Sequence, residues 1–179
     1  SIVDYDKIKK EIDKIKVSFT QKQAGFTSEV IEHIIDIEML PTTIGLINKL
    51  KDKGVVEGRD EIILADTGAK LMSKVHQLSS GTIKFESGNK KVLDYSKAIY
   101  IKENFKGKKL AIFYKFTAEL EAIKEHLDIT QDIEEFDNSD KHIALQIVSG
   151  REGTNLSSAD VLIYYNIDFS AVSYWQSRD

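Results

Sequence analysis

Residues 149–156 read Ser-Gly-Arg-Glu-Gly-Thr-Asn-Leu and follow directly on the apolar run Ile143 to Val148. Gly150 and Gly153, placed just past a strand, let backbone N–H groups approach an anion closely, and Thr154 and Asn155 add polar side chains. Open α/β sheets bind their ligands at this carboxyl end of the strands. On spacing alone the pattern is weak, because a Gly-x-x-Gly turn after a strand is more often only a turn. Arg151 suits a phosphate or a partner surface, and suits a solvated loop equally well. Asn155 can bond a ligand or fix its own loop.

Other chemistries find no support. His33, His76, His126 and His142 lack metal-ligand spacing. There is no Gly-x-Ser-x-Gly elbow for a serine nucleophile. The carboxylates Asp132, Glu134, Glu135, Asp137 and Asp140 fall in a polar, charge-dense stretch where solvation is the usual outcome. The absence of cysteine excludes disulfides and thiolate chemistry, and makes a cytoplasmic protein the expectation.

The elements that must position these residues follow from periodicity. Leu110 to Tyr114, Ile143 to Val148 and Val161 to Tyr165 are continuous apolar runs, expected for parallel strands covered on both faces. Thr117 opens a helix through Leu120, Ile123 and Leu127, and a further helix is expected from Ala171 to Asp179. This order predicts an α/β fold: a parallel sheet with helices on both faces. Upstream, Ile8, Ile12 and Ile15 predict a helix over 4–16, with a strand over 16–20; residues 30–40 fit either a strand or a helix, the strand being favoured, and end at Pro41. Helices follow to Leu50, stopped by Gly54, and from a cap at Asp66 or Thr67 to Gly81. Thr82–Glu86 and Lys90–Asp94 flank Ser87-Gly88-Asn89 as a hairpin, and Ser96 caps the next helix. Residues 1–80 are read as a mostly helical accessory or linker region, and 81–179 as the α/β unit, with its core from about 95.

Composition is that of a globular domain, 41% hydrophobic and 30% charged, with no run long enough to span a membrane. Ser1 in place of Met suggests a processed or excised chain. The net charge of -4 is unevenly spread. Residues 61–127 carry 12 basic and 8 acidic side chains, whereas residues 128–179 carry 3 and 10. Lys90, Lys91, Lys97, Lys102, Lys106, Lys108 and Lys109 can offer phosphates a basic surface, or can simply solvate helix faces.

The order of segments is more specific than any one of them. Ser149 to Leu156, then Ser157-Ser158-Ala159-Asp160 and the strand at Val161, resembles motif V of superfamily-2, Swi/Snf-related ATPases of the DEAD/DEAH type. Leu110 to Ile123 resembles motif IV, and Tyr165 to Ser170 resembles the family's turn of an acid, an aromatic and a small polar residue. Trp175 to Asp179 resembles the opening of motif VI, and Leu71 to Gly81, with Gln77, resembles the segment leading into the lobe. The likeness spans about 66–179 and is strongest at 110–123 and 143–179. It implies the second RecA-like lobe of a helicase or DNA translocase, and the lysine-rich composition, 22 lysines to 3 arginines, suggests a bacterial or phage source.

The resemblance places Gly150, Gly153, Thr154, Asn155 and Gln176 at an ATP cleft, and Tyr114, Lys115, Ser149 and Arg151 along a nucleic-acid track; Tyr114 is equally well suited to plain core. ATP and Mg²⁺ would be cofactors of the intact protein and would not bind this piece tightly. The partners would be an N-terminal RecA-like lobe of the same polypeptide and DNA, with RNA as the alternative. Two departures matter. The family's motif VI arginines would fall beyond Asp179, and the sequence has neither a Gly-x-x-x-x-Gly-Lys-Ser/Thr loop nor an Asp-Glu acidic motif at the end of an apolar strand. The expectation is therefore a lobe with no catalytic residues of its own, inactive on ATP alone. A non-catalytic α/β interaction module is the rival.

Overall fold

A computed structural model describes residues 14–22, 28–147 and 155–167. Its main sheet has six strands in the order β2-β1-β10-β7-β9-β8. Strands β7 (Leu110–Tyr114), β8 (Ile129–Thr130), β9 (His142–Gln146) and β10 (Val161–Tyr164) run parallel to their neighbours within this set. Strands β1 (Lys14–Lys22) and β2 (Ser28–Asp36) form an antiparallel pair, and β1 joins the sheet antiparallel to β10, with Val17 opposite Ile163. The α/β architecture with a mostly parallel central sheet is as the apolar runs predict.

Side-chain alternation explains why those runs are continuous. On β7, Leu110, Ile112 and Tyr114 enter one core with Ile15, Val17, Ala144, Val161 and Ile163. Ala111 and Phe113 enter the opposite core with Ile143, Leu145 and Phe136. The first core is covered by α3 (Ser96–Asn104), through Ala98 and Ile101, and by α4 (Thr117–His126), through Ile123. The second is covered by Phe136 of α5 (Ile133–Asp137) and by Leu156 and Ala159. With both faces buried, polar residues would have no water to turn to, so every position is apolar.

Residues 41–93 build a third core, away from the main sheet. Helices α1 (Pro41–Lys53) and α2 (Gly68–Ser79) pack with the hairpins β3 (Val55–Glu57)–β4 (Ile62–Leu64) and β5 (Thr82–Lys84)–β6 (Lys90–Val92) around Ile47, Leu50, Ile63, Leu78 and Ile83. Pro41 opens α1, where its missing N–H costs nothing, and Gly54 ends it at φ 71°. Thr67 Oγ1 caps α2 by accepting from Lys70 N.

The N-terminal region departs from the expected form. A mostly helical 1–80 is not what the described residues make: 14–36 contribute two strands to the main sheet, and 55–64 a hairpin. Lys14 to Lys16, expected at the end of a helix, begin β1; residues 4–13 lie outside the described residues. The helical spacing of Ile12 and Ile15 continues into the strand spacing of Ile15, Val17 and Phe19, and burial of Ile15 and Val17 under α3 decides for the strand. Strand β2 ends at Asp36, ahead of Pro41.

Ser96 does not cap α3. The cap comes from Asp94, whose Oδ1 accepts from Ser96 N (2.8 Å) and Ser96 Oγ (2.6 Å). Its Oδ2 accepts from Leu40 N (2.9 Å) and Thr43 Oγ1 (2.6 Å), so one buried carboxylate ties α3 to the start of α1. Gly81 makes this approach possible, since a Cβ there would lie 2.2 Å from the Asp94 carbonyl oxygen.

Candidate functional site

The carboxyl ends of β7, β9 and β10 meet at one rim of the sheet. Ile147 N donates to Tyr114 O (2.7 Å) and Gln146 Nε2 to Lys115 O (2.9 Å), which binds the end of β9 to the turn after β7. Tyr165 N donates to Phe113 O (2.9 Å) on the other side. The segments that resemble motif IV and the lead into motif V are thus adjacent, in register from Ala111 opposite Ile143 to Tyr114 opposite Gln146.

The turn from β7 into α4 is held by Glu119, which is fully buried. Its Oε1 accepts from Lys115 N (2.9 Å) and Phe116 N (2.6 Å), occupying N–H groups that the helix start leaves without intrahelical partners. Its Oε2 accepts from Asn166 Nδ2 (2.7 Å). Burial pushes the Glu119 carboxyl above the usual range, while the Phe116 N–H, the Lys97 ammonium, Asn166 and the Lys115 N–H oppose that shift. Asn166 Oδ1 in turn lies 3.2 Å from His76 Nε2, and the His76 ring meets Phe116 edge-on at 5.1 Å. One network therefore joins α2, the β7–α4 turn and the residue two beyond β10.

Beside this turn lies an open cavity of about 190 Å³, lined by the β5–β6 hairpin and the start of α4. Lys84, Lys90 and Lys115 line it with Gln77 and Thr117. Lys90 Nζ donates to Thr117 Oγ1 (2.5 Å), fastening the hairpin to the first turn of α4. Gln77 Oε1 accepts from Lys84 N (2.8 Å), and Lys74 Nζ donates to Lys84 O, so the backbone at Lys84 is fixed from both sides.

The expected site residues fall into four groups. Lys115 lines the cavity. Tyr114 is 4% exposed and its hydroxyl accepts from Gln131 Nε2 (3.1 Å), which places it in the core. Asn155 is exposed and its Oδ1 accepts from Ser157 N (3.0 Å), closing its own turn. Ser149, Gly150, Arg151, Gly153, Thr154 and Gln176 lie outside the described residues. Two of the lysines read as basic surface are otherwise engaged: Lys97 is 1% exposed, and Lys109 Nζ donates to the carbonyls of Phe136 and Ser139.

Glu119, Asn166 and His76 escaped the sequence reading, since their meeting depends on tertiary packing. Glu119 alone had a local signal, a carboxylate in the first turn after an apolar strand. Lys84 had one as well, because the hairpin turn fixes its register against Lys90. No family model, curated protein or solved structure matches this chain.

Proposed function

We propose that this chain is the second RecA-like lobe of a superfamily-2, Swi/Snf-related helicase or DNA translocase. The observation that carries this reading is the juxtaposition of the β7–α4 turn with the end of β9. The glycine-containing segment 149–156 follows β9 directly in sequence, and β9 pairs with β7, the strand of the segment that resembles motif IV. In such a motor the lobe closes on a first lobe around ATP and Mg²⁺, with Gly150, Gly153, Thr154, Asn155 and Gln176 facing the cleft. Ser149, Arg151 and Lys115 face the strand, and contacts to phosphates rather than bases make binding indifferent to sequence.

ATP turnover tests the proposal, measured on the 179-residue chain and on any longer polypeptide that contains it together with a Walker-type lobe. The chain alone should be inert and the longer polypeptide stimulated by DNA. A longer polypeptide that stays inert with single- and double-stranded DNA sinks the motor reading.

A further inference from the structure

The main sheet ends differently on its two sides. On one, β8 is two residues long, which leaves little backbone for another strand to pair with. On the other, β2 runs for nine residues and is in register with β1 at each of them, from Ser28 to Asp36. Among the described residues β1 is its only strand neighbour. Proline, lysine and bulges commonly blunt such an edge, and β2 has none of them. Its carboxylates Glu32 and Asp36 are bonded to lysines of β1, Glu32 to Lys16 (3.3 Å) and Asp36 to Lys14 (2.7 Å).

Alternation puts Ile31, His33 and Ile35 on the face of Ile15, Val17 and Phe19, the core side. Val30, Glu32 and Ile34 share the opposite face, where Val30 is 56% and Ile34 61% exposed. The two apolar residues stand symmetrically about Glu32. A twofold axis through Glu32, perpendicular to the sheet, therefore sets β2 antiparallel to a copy of itself with each Val30 opposite an Ile34. Moving the axis by one residue either way would set Val30 against Glu32 or Asp36 instead. With the axis at Glu32 the two Glu32 carboxylates meet, and each brings its own Lys16 as countercharge.

We propose that the occupant of the β2 edge is a second copy of this chain, paired antiparallel about Glu32 so that the two main sheets become one. Edge N–H and C=O groups of both copies then find partners, and the Val30–Ile34 pairs bury apolar surface that is otherwise in water. No residue assigned to ATP or nucleic acid enters this interface, so it stands or falls apart from the motor reading.

The chain has no cysteine, which makes one introduced thiol a clean probe. Directly opposed antiparallel residues have Cα atoms about 4.5–5.5 Å apart, within the span of a disulfide. Mild oxidation should therefore turn Glu32→Cys into a disulfide-linked dimer. Asp36→Cys should stay unlinked, because the axis leaves its two copies about 27 Å apart along the strands. This arm gains a bond, and the Asp36→Cys arm exposes random oxidation, so misfolding cannot imitate the result. Sedimentation velocity of the unmodified chain should show a concentration-dependent monomer–dimer equilibrium. Ile34→Lys enters the interface twice and should weaken it roughly tenfold or more. Met72→Lys, which removes an apolar side chain 70% exposed on α2, should leave it unchanged. Equal cross-linking of the two thiols, or a dimer that Ile34→Lys leaves intact, refutes the β2 interface. A chain that stays monomeric at every concentration also overturns the proposal, and hydrogen exchange then tells what replaces it. Protection of every β2 amide means that another part of the same chain covers the edge. Exchange at alternate amides means that the edge is open to a different protein.

Discussion

Asn166 donates its side-chain amide to Glu119 Oε2 over 2.7 Å, and through that one bond the end of β10 fixes the start of α4. Glu119 gives its other oxygen to two backbone N–H groups of the β7–α4 turn, and it faces the buried Lys97.

Glu119→Ala would leave two backbone donors and the Asn166 amide without their acceptor and would remove a countercharge from Lys97. Breaking a buried charge pair in this way costs about 3–5 kcal/mol. Urea unfolding should show that loss for alanine and a clearly smaller one for Glu119→Gln, which keeps an acceptor oxygen. Equal losses in the two variants would show that the retained acceptor oxygen contributes no stability.

Gly81 sits at φ 86° with the Asp94 carbonyl 2.2 Å from where a Cβ would stand. Gly81→Ala forces both a left-handed alanine and a backbone shift, and should cost about 2 kcal/mol or more. Gly88, also at positive φ but with open space around it, should lose less on the same change. Thermal unfolding of the pair checks the order.

His142 sets a pH dependence. Its Nδ1 accepts from Leu110 N (3.1 Å), and burial pulls its pKa below 6.5, with Asp128 opposing and Lys109 adding to the shift. The unfolded chain therefore binds more protons between the two values. Stability from this group is complete above pH 6.5 and is lost as the pH falls through the folded value. Unfolding free energy measured from neutral to mildly acid pH should fall more steeply in the parent chain than in His142→Gln.

Asn155→Asp separates the two roles open to that residue. Aspartate keeps the acceptor for Ser157 N–H, so stability should stay within about 0.5 kcal/mol of the parent. If the amide also meets a ligand, DNA-stimulated ATP turnover in a polypeptide that includes a first lobe should drop about tenfold or more. Unchanged turnover assigns Asn155 to its turn alone.

Much of the main sheet was legible because β7, β9 and β10 are buried on both faces, which leaves a composition no other element imitates. The hairpin at Ser87-Gly88-Asn89 and the stop at Gly54 were legible because each needs positive φ. The two-residue β8 and the short α5 were not, since a Thr130–Glu135 hydrogen bond and the burial of Phe136 define them more than any periodicity. At the candidate site, Lys115 was reachable from its place at the end of β7. The Glu119–Asn166–His76 network was not, because nothing local announces a partner brought from a distant element.

The insertion of β1 between β2 and β10 has a consequence for how the chain comes to be made. Phe19 pairs with Val161, so β1 and β2 find this neighbour only when nearly all of the described chain has followed them. Until then the β1–β2 pair presents an open β1 edge to solvent, with Val30 and Ile34 of β2 exposed even in the finished fold. An open edge is a template for other chains. The period of synthesis before β10 arrives is therefore when this protein is most exposed to mispairing, and slowing elongation ahead of residue 161 should lower its soluble yield.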